Sequence, residues 1–308
     1  MKNLFDTVNF TKEELEDIIT LGVHLTKARD EGKNLNTLKN KEVKILSNGI
    51  NSIDELAFNT AVSKLGGRTQ TIMFNEFIKV AKVNDMASIF NQIADTLVLD
   101  IDYSSSEIIN SKSSIPIINL KSEFNYPTQE IVDLITIFEN KPKGKKFEDL
   151  KIVYMGNCNE TAISLMNAVT KFGGHFFQYA PVESFITQNY VDMANENCKL
   201  SNGSITMTDV ELDAIKEADF IYTSSWGMDN QILDIYPQFV VGMDKMINAN
   251  ATVKVMHPLP IGEEINSEVL ESSYSIISEQ LKNKIIAYQA ILIYVTNNVE
   301  QFYNEIFN

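Results

Sequence analysis

The motif with the most specific chemical meaning in this sequence is His257-Pro-Leu-Pro260, which directly follows a short apolar run. Two prolines among four residues stiffen a turn, and such a turn can hold a cis peptide bond before Pro260. A stiff turn fixes the directions of its backbone carbonyls, and an imidazole beside them can donate a hydrogen bond to a developing oxyanion. We therefore predict that Pro258 and Leu259 bind substrate and that His257 is a catalytic candidate.

Three further segments place polar residues where a predicted strand ends or a helix begins. In Tyr126-Pro-Thr-Gln129, the proline starts a helix and Gln129 can reach into a site, although an ordinary helix start is the alternative. In Met155-Gly-Asn-Cys-Asn159, the glycine lets backbone approach a ligand, but one glycine is too few for a dinucleotide fingerprint. In Thr223-Ser-Ser-Trp-Gly-Met-Asp229, the tryptophan belongs either to a binding loop or to the core. Gln129 is our second catalytic candidate.

The composition indicates a globular protein of about two domains. The chain has 308 residues, of which 44% are hydrophobic, so it can bury sizeable cores. The two cysteines, Cys158 and Cys198, cannot form a disulfide framework, and the three histidines lack metal-ligand spacing. No apolar run approaches the roughly 18 residues that span a bilayer, and the N-terminus does not have the pattern of a signal peptide. We predict a cytoplasmic protein with no metal and no cofactor.

The charge balance restricts the partners that this chain can bind. Its formal net charge of −15 repels nucleic acid and anionic membranes, so we predict that it binds neither. Arg29 and Arg68 are the only arginines. Because the planar fork of arginine is the usual device for bidentate binding of phosphate or carboxylate, a small anion would need a local pocket of other basic groups.

Strand patterns alternate with helix patterns along the chain, which predicts an α/β fold with parallel sheets and helices on both faces. Thr11 and Glu14 form a capping-box pattern at the first helix. Segment 140–146 is basic and contains proline and glycine, so we predict that it links two doubly wound domains. Asn283–Phe307 is predicted as one long helix. Ligands of such folds bind beyond the carboxyl ends of the strands.

These segments, in this order and spacing, resemble the aspartate/ornithine carbamoyltransferase family. Ile115–Gln129 looks like the strand and His-Pro-Thr-Gln loop of that family. Ala218–Thr223, with Trp226 and Met228, looks like its second-substrate loop and is closer to the ornithine type than to the aspartate type. His257–Pro260 is similar to its His-Pro-Leu-Pro or His-Cys-Leu-Pro turn.

The resemblance carries expectations about architecture and activity. It implies a carbamoyl-phosphate domain at residues 1–140, on which a C-terminal helix at 284–308 packs back, and an amino-acid-binding domain at 147–283. It also implies a homotrimer. In the family, carbamoyl phosphate binds first, and the amine of the second substrate then attacks its carbonyl carbon.

The positions that should hold carbamoyl phosphate depart from the family pattern. The phosphate motif Ser-Thr-Arg-Thr-Arg is replaced by Asn51-Ser-Ile-Asp-Glu55, so its two arginines become Ile53 and Glu55. Three more positions of the carbamoyl-phosphate site also differ from the family. This chain has Asp100 and Lys284 where the family has arginines, and Tyr126 where the family has the histidine of His-Pro-Thr-Gln. The anion partners that remain are Ser52, Gln129 and Lys284.

The second-substrate positions change as well. The aspartate that grips an α-amino group in the ornithine type falls at Ser224, and the second asparagine of an Asn-Asn pair falls at Glu160, after Asn159. The arginines that grip a dicarboxylate in the aspartate type are absent. The predicted substrate-binding residues are Ser52, Asp54, Glu55, Asp100, Tyr126, Gln129, Asn159, Ser224, Met228, His257, Pro258, Leu259 and Lys284.

Loss of the arginines predicts weak binding of carbamoyl phosphate. At ~4 Å and an effective dielectric constant of about 20, each unit-charge contact is worth about 4 kcal/mol, and an acidic replacement turns attraction into repulsion. We therefore expect a non-catalytic or repurposed family member that meets a small-molecule ligand or an active paralogue. One alternative is an active carbamoyltransferase for ornithine or a related amino compound. Another is a sensor of a small cationic or neutral ligand, if Asp54, Glu55 and Asp100 converge rather than lie in solvated loops.

Overall fold

A computed structural model of the chain describes residues 2–49, 52–226 and 237–307. The chain forms two compact units. The first consists of Met1–Ile135 with Asn283–Asn308, and the second of Thr136–Lys282. Each unit contains one sheet, and every pair of neighbouring strands in both sheets is parallel. The predicted α/β class with two parallel sheets is confirmed.

Strands and helices alternate along most of the described chain. The strands are β1 (Glu42–Ser47), β2 (Arg68–Met73), β3 (Thr96–Asp100), β4 (Ile117–Asn119), β5 (Lys151–Met155), β6 (His175–Tyr179), β7 (Ser204–Thr208), β8 (Phe220–Thr223) and β9 (Lys254–Met256). The described helices are α1 (Lys12–Asp30), α2 (Ile53–Lys64), α3 (Phe74–Phe77), α4 (Val83–Ile93), α5 (Tyr103–Lys112), α6 (Pro127–Asn140), α7 (Glu160–Lys171), α8 (Gln188–Ser201), α9 (Glu211–Ile215), α10 (Met243–Asn248), α11 (Ser267–Leu270), α12 (Ile277–Val295) and α13 (Val299–Phe307).

The sheet of the first unit has the strand order β2-β1-β3-β4. Ser47 at the end of β1 pairs with Met73 on one side and with Asp100 on the other, so three strands end level with one another. The strand residues Leu97 and Leu99 are fully buried in the core of this unit. Buried apolar strands therefore hold Asp100 at the carboxyl edge, where ligands of parallel sheets bind.

The sheet of the second unit has the strand order β7-β6-β5-β8-β9. Met155 at the end of β5 pairs with Tyr179 and with Thr223, so β5, β6 and β8 also end at one edge. His257 directly follows the end of β9, which pairs with β8. The four-residue proline turn therefore begins at the carboxyl edge of this sheet.

Side-chain caps start α1 and two helices that begin at predicted site residues, α2 and α7. The capping box at α1 is confirmed, because Thr11 accepts from the backbone N–H of Glu14 and the Glu14 side chain accepts from the backbone of Thr11. Ser52 caps α2 by accepting from the N–H of Glu55 at 3.1 Å. Asn159 caps α7 by accepting from the N–H of Ala162 at 2.9 Å. Each cap satisfies a backbone donor that a helix start leaves without an intrahelical partner.

The prediction of one long C-terminal helix over Asn283–Phe307 is wrong. The structure has two helices, α12 and α13, and Asn297 between them has a φ of 57°. Asparagine tolerates this left-handed conformation, which ends a helix. The chain then changes direction, so that Phe302 is fully buried and Glu305 accepts from the backbone N–H of Asn36 at 2.9 Å. The terminal segment thus packs back on the first unit, as predicted.

The basic segment 140–146 begins at the last residue of α6 and belongs to the second unit. Its Lys145 donates to the carboxylate of Asp219 at 2.6 Å, and the Asp219 side chain is fully buried. The segment is therefore attached to the sheet of the second unit through an ion pair. The chain passes from the first unit to the second inside α6 and returns inside α12.

Within residues 2–49, 52–226 and 237–307, every helix is too short or too polar to cross a bilayer. Over the same residues, His, Cys, Asp and Glu side chains form no group that could hold a metal ion. Cys158 and Cys198 are free thiols with intermediate exposure.

Candidate active site

Four side chains of the first unit converge at the N-terminus of α2. Asp54, in the first turn of α2, accepts hydrogen bonds from Lys284 Nζ and from the hydroxyl of Tyr126. The hydroxyl of Tyr288 also donates to the Asp54 carboxylate, at 2.7 Å. The structure therefore brings together three predicted site residues and adds a tyrosine that the sequence analysis did not select.

Helix α12 contributes the basic group of this cluster. Lys284 and Tyr288 lie one turn apart on α12, so both side chains project from the same helix face. Lys284 is 2% exposed and Tyr288 is fully buried. Lys284 Nζ also lies 3.4 Å from the hydroxyl of Tyr126. A buried ammonium needs such partners because burial without them strongly disfavours the charged form.

The ring of Tyr126 lies near two lysines. Its centroid is 5.5 Å from Lys284 Nζ and 5.2 Å from Lys121 Nζ. Both distances are within the range in which a cation is attracted to the face of an aromatic ring. Lys121, which follows β4, is thus a second basic group of the cluster. The sequence analysis did not select it, although it lies within the Ile115–Gln129 segment.

The charge of Lys284 controls the ionisation of Asp54. Burial is the largest single effect on this carboxyl and opposes its ionisation. The positive charge of Lys284 and the hydrogen bonds from Lys284, Tyr126 and Tyr288 together outweigh burial, so the pKa of Asp54 lies below its usual value. Asp54 and Lys284 therefore form an ion pair in which the lysine side chain is buried.

The other two predicted carboxylates lie near Asp54. Asp100, at the end of β3, accepts a hydrogen bond from the hydroxyl of Ser47 at 2.7 Å. Burial raises the pKa of Asp100, the Ser47 hydrogen bond opposes this rise, and the negative charge of Asp54 adds to it. Glu55 is 5% exposed and accepts from the hydroxyl of Thr71 at 2.5 Å. These carboxylates are held by a helix start and a strand end, and they are not solvated loop residues.

Gln129 lies in the first turn of α6 and is 1% exposed. Its side-chain nitrogen donates to the carboxylate of Asp133 at 2.8 Å, and its side-chain oxygen has no partner among the described residues. Both arginines lie on the surface, where Arg29 pairs with Asp30 and Arg68 pairs with Glu42. The basic side chains beside Asp54 and Tyr126 are therefore lysines.

The proline turn of the second unit is held by its own histidine. The peptide bond between Leu259 and Pro260 is cis, and Leu259 has a φ of 67°. The backbone N–H of Leu259 donates to His257 Nδ1 at 2.9 Å, and His257 Nε2 lies 2.7 Å from the carboxylate of Glu264. Because Nδ1 accepts, the ring proton lies on Nε2 and is donated to Glu264. Both ring nitrogens of His257 are thus engaged within the turn.

Glu264 and Gln280 anchor this turn from outside the motif. Glu264 is fully buried, and its carboxylate also accepts from the backbone N–H of Gly262 at 2.7 Å. Burial opposes ionisation of Glu264, but the hydrogen bonds from His257 and Gly262 outweigh it, so the pKa of Glu264 is lowered. The side-chain oxygen of Gln280 accepts from the backbone N–H of His257 at 2.8 Å. The positions of the Pro258 and Leu259 carbonyls follow from these contacts.

Asn159 and Ser224 of the second unit belong to one hydrogen-bonded group with Tyr154. Asn159 donates to the hydroxyl of Ser224 at 3.0 Å, and the Ser224 and Tyr154 hydroxyls lie 2.7 Å apart. Trp226 is 2% exposed and packs near Phe239 at 6.3 Å between ring centroids, so it is an aromatic anchor of the core. The predicted substrate residue Met228 lies outside the described residues.

Several contact residues are not among those that the sequence analysis selected. Tyr288 follows Lys284 by one helical turn, and this spacing is a signal that could have indicated it. Glu264 follows His257 by seven residues, a separation with no simple pattern. Lys121 and Tyr154 are separated from their partners by loops or neighbouring strands, so only the folded chain brings them together.

Two family descriptions match this chain over almost its whole length. "Aspartate/ornithine carbamoyltransferase, carbamoyl-P binding domain" matches residues 2–139, and "Aspartate/ornithine carbamoyltransferase, Asp/Orn binding domain" matches residues 148–295. The chain belongs to the aspartate/ornithine carbamoyltransferase family. The resemblance drawn from the four strand-end segments is therefore confirmed.

Individual members of the carbamoyltransferase family are similar to this chain from end to end. The ornithine carbamoyltransferase of Methanococcus vannielii is 31% identical over 300 residues, which cover 93% of this chain and 96% of that protein. The putrescine carbamoyltransferase of Mycoplasma capricolum is 29% identical over 314 residues, covering 96% and 86% respectively. The structure of ornithine carbamoyltransferase from Pyrococcus furiosus has a TM-score of 0.90 and 26% identity, covering 96% of this chain and 97% of that one.

These carbamoyltransferase relatives overturn the prediction of a non-catalytic or repurposed protein. That prediction depended on the loss of arginines at Ile53 and Glu55, and it treated the remaining basic groups as too few. It did not include Lys121, and it could not include the burial of Lys284, which strengthens each of its electrostatic contacts. The similarity to ornithine and putrescine carbamoyltransferases supports the alternative of an active transferase.

Proposed function

We propose that this protein transfers the carbamoyl group of carbamoyl phosphate to a primary amine of ornithine or putrescine. The observation that carries this proposal is the end-to-end similarity to relatives named for each of these two activities. The two relatives cover more than nine-tenths of this chain, so the similarity includes both units. The family match to a carbamoyl-phosphate domain and to an amino-acid domain supports the same reaction.

The reaction requires a positive environment for the phosphate and fixed groups around the carbamoyl carbon. The amine nitrogen attacks that carbon, a C–N bond forms, and the C–O bond to phosphate breaks, with its electron pair leaving on phosphate. The attacking amine loses a proton. In the proposal, Lys284 and Lys121 attract the leaving phosphate, because both ammonium groups lie close to the ring of Tyr126.

Each unit offers hydrogen-bond acceptors of fixed direction. In the first unit, the side-chain oxygen of Gln129, which has no partner among the described residues, is an acceptor suited to the NH₂ of a carbamoyl group. In the second unit, the carbonyls of Pro258 and Leu259 are acceptors whose turn is held by His257 and Glu264. We assign His257 a positioning role rather than a role as general acid, because both of its ring nitrogens are engaged.

The charge of the protein favours a cationic second substrate. A net charge of −15 attracts an amine that carries positive charge and repels a dicarboxylate such as aspartate. Both arginines pair with carboxylates on the surface, so neither supports binding of a dicarboxylate in the described structure. Ornithine and putrescine differ by an α-carboxylate, and their relative rates distinguish the two candidates.

The test is an assay of the purified protein with carbamoyl phosphate and one amine at a time. Ornithine, putrescine, lysine and aspartate form a matched panel, and the products are ureido compounds and phosphate in equal amounts. We expect a product with ornithine or putrescine and none with aspartate. Absence of a ureido product with both ornithine and putrescine would contradict the proposal.

A further inference from the structure

The ammonium group of Lys284 already has an anionic partner within the protein. Lys284 is 2% exposed, and the carboxylate of Asp54 accepts from it although the two residues are 230 positions apart in the chain. The hydroxyls of Tyr126 and Tyr288 donate to the same carboxylate. Asp54 is therefore bound as a small oxyanion would be, by an ammonium and two hydroxyl groups.

A phosphate group that approaches Lys284 meets this carboxylate at close range. Oxyanions of like charge that share one ammonium repel each other, and the repulsion is strong where water is largely excluded. Glu55, next to Asp54 in the first turn of α2, and Asp100, whose pKa is raised by burial and in part by the charge of Asp54, place two further carboxyl groups nearby. A dianion can therefore gain the full attraction of Lys284 only if the Asp54 carboxylate releases it.

We propose that Asp54 is an internal counter-ion that competes with the phosphate group of the carbamoyl donor for Lys284 and thereby sets donor affinity. This inference rests on the proposed function, because it assigns the donor phosphate to the Lys284 cluster. Asp54 is then an affinity-determining residue of the donor site. Its role is to weaken the binding of every phosphate-bearing anion, so that donor binding requires displacement of a built-in competitor.

The test measures binding of inorganic phosphate by calorimetry at constant ionic strength. Asp54→Asn removes the charge but keeps an oxygen that accepts from the tyrosine hydroxyls. We expect phosphate to bind at least about tenfold more tightly to Asp54→Asn than to the natural protein, a change of about 1.4 kcal/mol. The double variant Asp54→Asn with Lys284→Met should lose this gain. Asp30→Asn removes one exposed carboxylate of the same unit and should change phosphate affinity less than about twofold.

A second readout separates competition from a purely structural role. Asp54→Asn leaves Lys284 buried without its counter-ion, so phosphate should raise the melting temperature of this variant more than that of the natural protein. Asp54→Thr, which also keeps a hydroxyl acceptor, is the second variant if Asp54→Asn fails to fold. Unchanged or weaker phosphate affinity in a folded variant at position 54 would overturn the inference. Because no amine or turnover is involved, this result is independent of the assay for carbamoyl transfer.

Discussion

The Nε2 atom of His257 lies 2.7 Å from Oε1 of Glu264, and both side chains are buried. The Nδ1 atom of the same ring accepts from the backbone N–H of Leu259, so the histidine joins the turn to a carboxylate seven residues away. This pairing makes Glu264 a determinant of the turn that carries Pro258 and Leu259.

The first prediction concerns this pair. Glu264→Gln removes the negative charge that accepts from His257 and Gly262, and hydrogen bonds to charged groups contribute about 1.5–3 kcal/mol. We expect the free energy of unfolding at pH 7 to fall by about 2 kcal/mol, measured by urea denaturation. Glu263→Gln is the matched control, because its side chain is exposed, and it should change stability by less than about 0.5 kcal/mol.

The effect of Glu264 should depend on pH in a defined direction. The folded protein lowers the pKa of Glu264, so the carboxylate stabilises the fold fully above about pH 4.3, the ordinary glutamate value. This stabilisation is lost as the pH falls through the lowered folded value. The stability difference between the natural protein and Glu264→Gln should therefore shrink below about pH 4. A difference that grows on acidification would contradict the assignment.

A second prediction concerns the carboxyl group at the end of β3. Burial raises the pKa of Asp100, so its ionised form is unfavourable in the folded state. Asp100→Asn keeps an oxygen that accepts from Ser47 and removes the charge. We expect the variant to be more stable than the natural protein at pH 8, by up to about 1 kcal/mol, and the melting temperature to rise accordingly.

The gain from Asp100→Asn, like the loss from Glu264→Gln, shrinks on acidification, although the two effects on stability have opposite signs. Because the pKa of Asp100 is raised in the folded state, its ionisation lowers the stability of the natural protein only above the unfolded pKa of about 3.9. Below that pH, the natural protein is also neutral at this position. The stability gain should therefore disappear at low pH. A loss of stability at pH 8 would mean that the ionised carboxylate has a stabilising partner, against the raised pKa.

A third prediction separates the two roles of Asn159. This side chain caps α7 through the N–H of Ala162 and donates to the hydroxyl of Ser224. Asn159→Ala loses both interactions and should cost about 1–2 kcal/mol in urea denaturation. Asn159→Asp retains the cap and should remain within about 0.5 kcal/mol of the natural protein, because a carboxylate is favourable at a helix N-terminus. Equal losses in both variants would show that the Ser224 contact outweighs the cap.

A fourth prediction concerns the buried carboxylate of Asp219. It accepts from Lys145 at 2.6 Å, from the backbone N–H of Lys151 at 2.8 Å and from the side chain of Asn250 at 2.7 Å. Asp219→Ala leaves these donors without their acceptor and should cost about 3–5 kcal/mol. Lys145→Met should cost about 1–2 kcal/mol, because the carboxylate keeps two other hydrogen bonds.

The control for Lys145→Met is Lys143→Met in the same segment. Lys143 is exposed, so its replacement should change the free energy of unfolding by less than about 0.5 kcal/mol. If both lysine variants have equal effects, the basic segment would act through overall charge and not through the pair with Asp219.

The fold and the motifs could be predicted from sequence because they depend on local patterns. Alternating apolar strands and amphipathic helices predict parallel sheets wherever they occur, and capping residues such as Thr11 act within three positions. The proline turn at His257–Pro260 was likewise visible, including its cis peptide bond. The break at Asn297 was not predicted, because an asparagine in a polar segment is compatible with a continuing helix.

The sequence analysis identified the individual charged residues Asp54, Asp100 and Lys284 of the candidate site, but it did not predict their combined electrostatic effect. The arginine losses at Ile53 and Glu55 favoured a non-catalytic protein only while each position was treated separately. Lys121, the lysine beside Tyr126, lies within the Ile115–Gln129 segment but was not selected, because its contribution depends on the return of the chain after β4. A sum over motif positions therefore underestimated the basic groups of the cluster.

The sequence by itself determined that this chain is an α/β protein whose polar segments follow strand ends, because side-chain periodicity and backbone propensity act over a few residues. Only the tertiary structure decided that Asp54 pairs with Lys284 across 230 positions and that His257 is held by Glu264. Which charged groups pair depends on which residues, distant in sequence, the fold brings within a few ångströms of each other and removes from water. A local sequence pattern does not specify that spatial separation.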